Sequence, residues 1–146
     1  MFSGIFMDLK DYLIAFKDCV NLSASLPSGL LSIGEGAFKN CNFGASFAMP
    51  STVTSIGSFA FWGCKEITTV AIPAATEYIG TGAFRGCKKI TSMTVNSGNT
   101  VYSGSNNCII DYHTVIAGCK NCVIPNYITV IDNYAFAGQG IVNLTI

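Results

Sequence analysis

The chain has 146 residues, half of them hydrophobic and 11% charged, which is enough apolar mass for a core and too little charge for a disordered chain. Eight Lys and Arg balance eight Asp and Glu, so the basic excess of a nucleic-acid binder is missing, and no apolar run approaches the roughly 20 residues that span a bilayer. The length suits one domain, and a single histidine, His113, speaks against a His-based metal cluster or a Ser-His-Asp triad.

The chain opens with Phe2, Ile5, Phe6, Leu9, Tyr12, Leu13 and Phe16 at helical spacing. This predicts an amphipathic helix over residues 1–14, ahead of a repeat domain over 15–146. Such a helix would cap the exposed end of a stacked array. The rival reading is that a longer array was cut and the segment is incidental. Asp8 and Lys10 interrupt any apolar h-region, so the start does not read as a signal peptide.

Four segments then read alike: Ile33 to Cys41, Ile56 to Cys64, Ile79 to Cys87, and Ile131 to Gly138, each with Ala-Phe at its centre. Their isoleucines are separated by 23, 23 and 52 positions, and Pro27, Pro50, Pro73 and Pro125 each stand six residues before one of them. A partial copy ends at Cys19. Before each proline slot, apolar residues recur six, three and one positions earlier, as in Ile67, Val70, Ile72 and in Cys119, Cys122, Ile124. The same pattern without the proline appears at Ile90, Met93, Val95 and at Ile141, Leu144, Ile146. One unit therefore predicts a strand, a proline turn, a short extended segment and a helical turn carrying Ala-Phe. The phenylalanines Phe38, Phe61, Phe84 and Phe136 should all be buried. About six strand rungs are expected, in a mainly β fold.

The pattern I-P-x-x-x-T-x-I-G-x-x-A-F-x-x-C-x-x-I-x-x-V-x-I resembles the BspA-like, or treponemal-type, leucine-rich repeat, over residues 15–146. The resemblance implies a right-handed superhelix of repeats of about 23 residues. It also implies a non-catalytic module that binds proteins of a host or cell surface, with an extracellular or cell-surface location. The alternative is a structural spacer, or a fragment of a longer array with its binding site elsewhere. Enzymatic activity and cofactors are not implied.

One unit is irregular. The step from Val95 to Ile124 is 29 residues rather than 23, and the unit lacks Ile-Gly-x-x-Ala-Phe and predicts a loop at 96–107 followed by a hairpin turning at Tyr112-His113, the whole insertion covering about 96–118. His113 should be solvated there.

Seven cysteines make an odd set. Cys119-Lys-Asn-Cys122 has metal-ligand spacing, and Cys108 with His113 would complete a zinc set. The repeat register instead places Cys119 and Cys122 where regular units have Ile67 and Val70, which predicts core packing. Cys19, Cys41, Cys64 and Cys87 share one column. Rungs stand about 4.8 Å apart, and a disulfide wants Cβ atoms at about 3.8 Å, so these should be packed thiols.

Outward strand positions such as Thr69, Ala71, Ser92 and Thr94 are small and uncharged, a poor setting for binding hot spots. The residue after Ala-Phe is different: Lys17, Lys39, Trp62, Arg85 and Ala137 form a column, with Lys65, Lys88 and Lys89 a few positions on. Lys39, Trp62, Arg85, Lys65, Lys88 and Lys89 are the candidate protein-contact stripe. The competing interpretation is a local cation–π stack. The last rung, 141–146, predicts self-association through its uncovered edge unless further repeats follow it.

Overall fold

The computed structural model describes residues 16–19, 26–43 and 47–141. The expected N-terminal cap and residues 142–146 of the final rung lie outside the described residues. Among the described residues nine strands occur in order: β1 (Ser32–Ile33), β2 (Ser55–Ile56), β3 (Thr69–Ile72), β4 (Tyr78–Ile79), β5 (Ser92–Val95), β6 (Ser103–Ser105), β7 (Cys108–Asp111), β8 (Thr114–Gly118) and β9 (Val130–Ile131).

The repeat period is the pairing register. β1, β2 and β4 form one parallel sheet in which Ile33 faces Ile56 and Ile56 faces Ile79. β3 and β5 form a second, with Val70 opposite Met93 and Ile72 opposite Val95. Each step is one repeat. Strand alternation holds on β3, where Thr69 and Ala71 are exposed and Val70 and Ile72 buried. All four prolines begin a turn of the same kind: the carbonyls of Pro27, Pro50, Pro73 and Pro125 accept from the amides of Leu30, Val53, Thr76 and Ile128.

The segment carrying Ala-Phe is not helical; among the described residues there is no helix. It is a run of tight turns with alternating partners. The amides of Ala60, Trp62 and Cys64 bond back three residues, to Gly57, Phe59 and Phe61, while those of Phe59, Phe61 and Gly63 bond across to Thr81, Ala83 and Arg85 of the next rung. A helix would use every amide within its own segment and leave none for the neighbour. Two positions per turn take positive φ: Gly36, Phe59, Gly82 and Tyr134 in one column, and Asp18, Asn40, Gly63, Gly86 and Gly138 in the other. Glycine, asparagine and aspartate tolerate that conformation best.

The core is a ladder. Phe16, Phe38, Phe61 and Phe84 stack with centroids 5.5 Å apart at each step, near parallel. Phe38, Phe61 and Phe84 are buried, as their column predicts. Phe136 is not: it is half-buried and leaves the stack. Ile116 and Ala117 of the irregular unit's hairpin line a common cleft with Phe84 and Ala135. Phe136 turns instead onto Gly118, where a Cβ would lie 2.1 Å from its ring.

The hairpin turns at Tyr112-His113 as the sequence predicts, with Tyr112 at φ 53°. The preceding residues are more ordered than a loop. β6 pairs antiparallel with β7, and the connecting Asn106 and Asn107 both have positive φ, as a two-residue hairpin with a primed turn requires. Asn99 pins the approach, giving its amide to the carbonyls of Pro73 and Thr76 and accepting from Val101 and Tyr102. The Tyr102 hydroxyl accepts from the Ile79 amide at 2.9 Å. β8 then pairs parallel with β9, returning the chain to the repeat. The strand expected over Cys119 to Ile124 does not form. The amides of Cys119 and Val123 bond to the carbonyls of Asn107 and Asn106, so this stretch follows the hairpin rather than another rung.

The Phe61→Ala variant should lose about 3–5 kcal/mol of stability, since its ring contacts both neighbouring rungs. Urea denaturation checks this, and a loss under about 1 kcal/mol would place the ring at the surface.

Candidate functional site

The turn column brings the predicted stripe together and adds to it. Lys39 Nζ lies 3.7 Å from the Trp62 ring centroid, and the Arg85 guanidinium lies 4.7 Å from the same ring and 4.4 Å from that of Tyr134. The order Lys39, Trp62, Arg85, Tyr134 is a ladder across four stacked turns. Phe59 braces it, 5.6 Å from both Trp62 and Tyr134.

Phe59 and Tyr134 escaped the sequence reading. Both occupy the positive-φ column that other units fill with glycine, and the signal was an aromatic residue in a glycine slot two positions before the core phenylalanine. That backbone geometry sends their rings to the outside. Gly82, between them in the column, has no side chain because a Cβ would lie 2.7 Å from the Phe59 ring and 3.3 Å from Tyr134 Cβ.

The remaining lysines of the stripe stand apart from the ladder. Lys89 bonds Glu66 at 2.6 Å across one rung. Lys65 and Lys88 are exposed and take part in no ion pair among the described residues.

The cysteine column is a second array. Cys41, Cys64 and Cys87 are free, buried thiols, and Cys19 is free and half-buried. Each buried thiol donates to the carbonyl of the core phenylalanine one rung back: Cys41 to Phe16 at 2.6 Å, Cys64 to Phe38 at 3.0 Å, Cys87 to Phe61 at 3.1 Å. Gln139 holds the same position in the last unit, and its side-chain amide donates to the Phe84 carbonyl at 2.5 Å. Burial pushes the thiol of Cys41 up to about 11 and that of Cys87 up to about 12, with Cys64 raised further.

The zinc set does not assemble. Cys108 and Cys122 are joined in a disulfide with Cα atoms 5.6 Å apart, which corrects the reading of Cys122 as a packed thiol. Its cause is the hairpin: β7 runs beside residues 122–124, the Asn106 carbonyl accepts from Val123, and a pairing invisible in repeat phase becomes close. Cys119 remains a buried free thiol, as its register predicts. His113 is half-buried rather than solvated, with Nδ1 2.8 Å from the Tyr127 carbonyl and its ring against Tyr112 and Tyr127. Among the described residues no three His, Cys, Asp or Glu side chains are grouped to hold a metal ion, and no helix is long and apolar enough to cross a membrane.

The comparisons agree with this architecture. The model of the BspA type leucine-rich repeat region matches six copies over residues 12–139, and the chain belongs to that family. No curated protein matches the chain. A leucine-rich repeat protein from Eubacterium ventriosum superposes with a TM-score of 0.78 at 19% identity, over 90% of this chain and 37% of that one. A leucine-rich cell surface protein from Faecalibacterium prausnitzii gives a TM-score of 0.62 at 26% identity, over 71% and 29%. The pneumococcal vaccine antigen PcpA gives 0.72 at 18%, over 83% and 33%. The chain thus spans 29–37% of these solved proteins, and the likenesses at 18% and 19% identity bear on the fold alone.

Two outcomes follow for the cysteines. Thiol titration after denaturation without reductant should find five free thiols of the seven cysteines, and Cys122→Ser should cost about 3 kcal/mol, the loop-closure value for a bridge of this span. Three disulfides, or a bound zinc ion, would contradict the structure. The buried thiols also make stability fall in alkali. Burial raises their folded-state values above the ordinary value near 9, so above that pH the unfolded chain binds fewer protons than the folded one. Stability is therefore intact below pH 9 and declines as pH rises towards 11–12. Each thiol contributes a slope of about 1 kcal/mol per pH unit. Urea midpoints between pH 7 and 10.5 test the sign, and Cys64→Ala should make the slope shallower.

Proposed function

We propose that the chain is a non-catalytic binding module: a right-handed superhelical repeat coil that engages a protein partner on a host or other cell surface through its turn face. The observation that carries this reading is the Lys39, Trp62, Arg85, Tyr134 ladder. It holds two cations and two aromatic rings at the surface in register, and neither cation takes part in an ion pair among the described residues. Arg, Trp and Tyr are the residue types that dominate interface hot spots, whereas the outward strand positions Thr69, Ala71 and Thr94 offer none. The family and the cell surface description of the Faecalibacterium protein support the setting. The Cys108–Cys122 disulfide supports an oxidising compartment.

A second reading, a spacer within a longer array, is favoured by the fraction of the solved proteins that the chain spans. The two readings separate in one experiment. Beads carrying the chain are incubated with intact cells, with and without prior protease treatment of those cells. The binding reading expects protease-sensitive adhesion that drops at least tenfold in the Lys39→Ala, Arg85→Ala double variant. Adhesion no better than that of uncoated beads would leave the spacer reading.

A further inference from the structure

We propose that the Cys108–Cys122 disulfide is a redox clasp that keeps the rung at 122–139, and with it Tyr134, in the ladder, so that a dithiol reductant releases that end of the strip. This rests on the binding reading above and names how the same strip is regulated. The hairpin of β7 and β8 has two apolar faces. Ile109 and Ala117 belong to the main core, whereas Cys108, Ile110 and Val115 belong to a second, smaller core with Cys122, Ile124 and Ala135. The second core is therefore the seam between the hairpin and the rung at 122–139. The disulfide is the covalent bond across that seam, joining Cys108 of β7 to Cys122 at the start of the rung.

The rung itself is thinly packed. Ile131 is 47% exposed, where its register equivalents Ile56 and Ile79 are 0% and 6% exposed. Phe136 is half-buried, where Phe61 and Phe84 are buried. The other ties of the rung are hydrogen bonds, such as those from Gly86 to Ala137 and from Gln139 to Phe84. Segments with few buried apolar contacts are the ones that open ahead of the rest of a fold. A bridge closing a loop of this span shifts such an opening by roughly a hundredfold. The rungs from 26 to 95 share the main core and its phenylalanine stack, and their cysteines Cys41, Cys64 and Cys87 are free, so they stand without the bridge.

Tyr134 carries the state of the clasp to the strip. It adjoins Ala135 of the second core, and its ring lies 4.4 Å from the Arg85 guanidinium and 5.6 Å from the Phe59 ring. When the rung opens, Arg85 keeps Trp62 and loses its second ring. The chemistry is an exchange in two steps. A thiolate of the reductant attacks Cys122 Sγ, at the less buried end of the pair, and Cys108 leaves as a thiolate. The second thiol of the reductant then displaces Cys122, and the reductant departs as its own disulfide while its two protons end on Cys108 and Cys122. Cys108 and Cys122 are both buried, so attack waits for the rung to open.

Amide hydrogen exchange of the full chain tests the clasp, comparing the oxidised protein with protein reduced by dithiothreitol and with the Cys108→Ala, Cys122→Ala variant. The amides of Asp132 and Ala137, bonded to the carbonyls of Val115 and Tyr134, should exchange at least tenfold faster in both. Those of Phe38 and Phe61, in the main array, should change by less than about twofold. Unchanged exchange at Asp132 and Ala137 would overturn the proposal. So would an equal acceleration at Phe38 and Phe61, which would make the chain one cooperative unit. In the bead assay the double alanine variant should adhere at least threefold less than the oxidised wild type, and Tyr134→Ala should adhere equally with and without the bridge. Wild-type adhesion indifferent to the bridge would remove the clasp and leave the binding reading standing. Adhesion by neither form would remove the binding reading, with the exchange rates still deciding whether the bridge holds the rung.

Discussion

The structure depends on one constraint, the division of backbone amides in the turn segment between their own rung and the next. The amides of Ala60, Trp62 and Cys64 close turns within the rung, and those of Phe59, Phe61 and Gly63 cross to the following one. Buried backbone groups must be paired, so a rung of this kind is incomplete alone. The crossing bonds also fix the vertical register of everything mounted on the turn. Side chains then repeat the same logic: the column thiols of Cys41, Cys64 and Cys87, and Gln139 in the last unit, each donate to the carbonyl of a core phenylalanine on the preceding rung. Stability in such an array comes from rung-to-rung interfaces, and here hydrogen bonds and ring stacking act at the same interface.

The positive-φ column links this constraint to the surface. Its residues must either lack a Cβ or tolerate strain of about 1–2 kcal/mol for an ordinary L-residue. Gly36 and Gly82 take the first course, Phe59 and Tyr134 the second, at φ 57° and 64°. The strain at the aromatic positions is offset by their contacts with Trp62, Arg85 and each other. Alternation of glycine with aromatic residues lets rings that are two rungs apart meet over the gap at Gly82. Strained backbone concentrated under an exposed aromatic and cationic strip is the arrangement associated with functional sites.

Much of this was legible because the signal was periodic. The columns of Ile, Phe, Cys and Pro fixed the register, and the structure pairs Ser32 with Ser55 and Thr69 with Ser92 at the same step. Legibility ended where the period did. Phe136 satisfied its motif but lies outside the stack, against Gly118 of the insertion, a neighbour that the motif does not record. Cys122 satisfied a core position, yet its partner Cys108 lies in the insertion and shares no repeat phase with it. Residues 103–105 were read as loop from Gly and Ser, although Asn106-Asn107 ahead of an apolar run was a hairpin signal, since asparagine accepts positive φ. At the candidate site, Lys39, Trp62 and Arg85 were legible as one column; Phe59 and Tyr134 belong to another and converge only through backbone geometry.

The insertion shows how the two sides of the fold are separated. Between Ile79 and Ile131 the sequence departs from its period by a whole irregular unit, yet on the turn side nothing intervenes. The Gly86 amide bonds the Ala137 carbonyl, Gln139 reaches Phe84, and a Cβ on Gly138 would lie 3.0 Å from Gly86 Cα. The turn at 134–139 therefore stacks directly on that at 82–87, while β6, β7 and β8 take up the extra chain on the sheet side. The core phenylalanine stack is interrupted by this detour and the external ladder is not, since Arg85 still meets Tyr134. Continuity has been kept where the cations and rings are displayed, at the expense of the regular core stack. The crossing backbone bonds account for this: the amides of the turn must still find partners on the next rung, so the turn stack closes directly while the ring stack gives way.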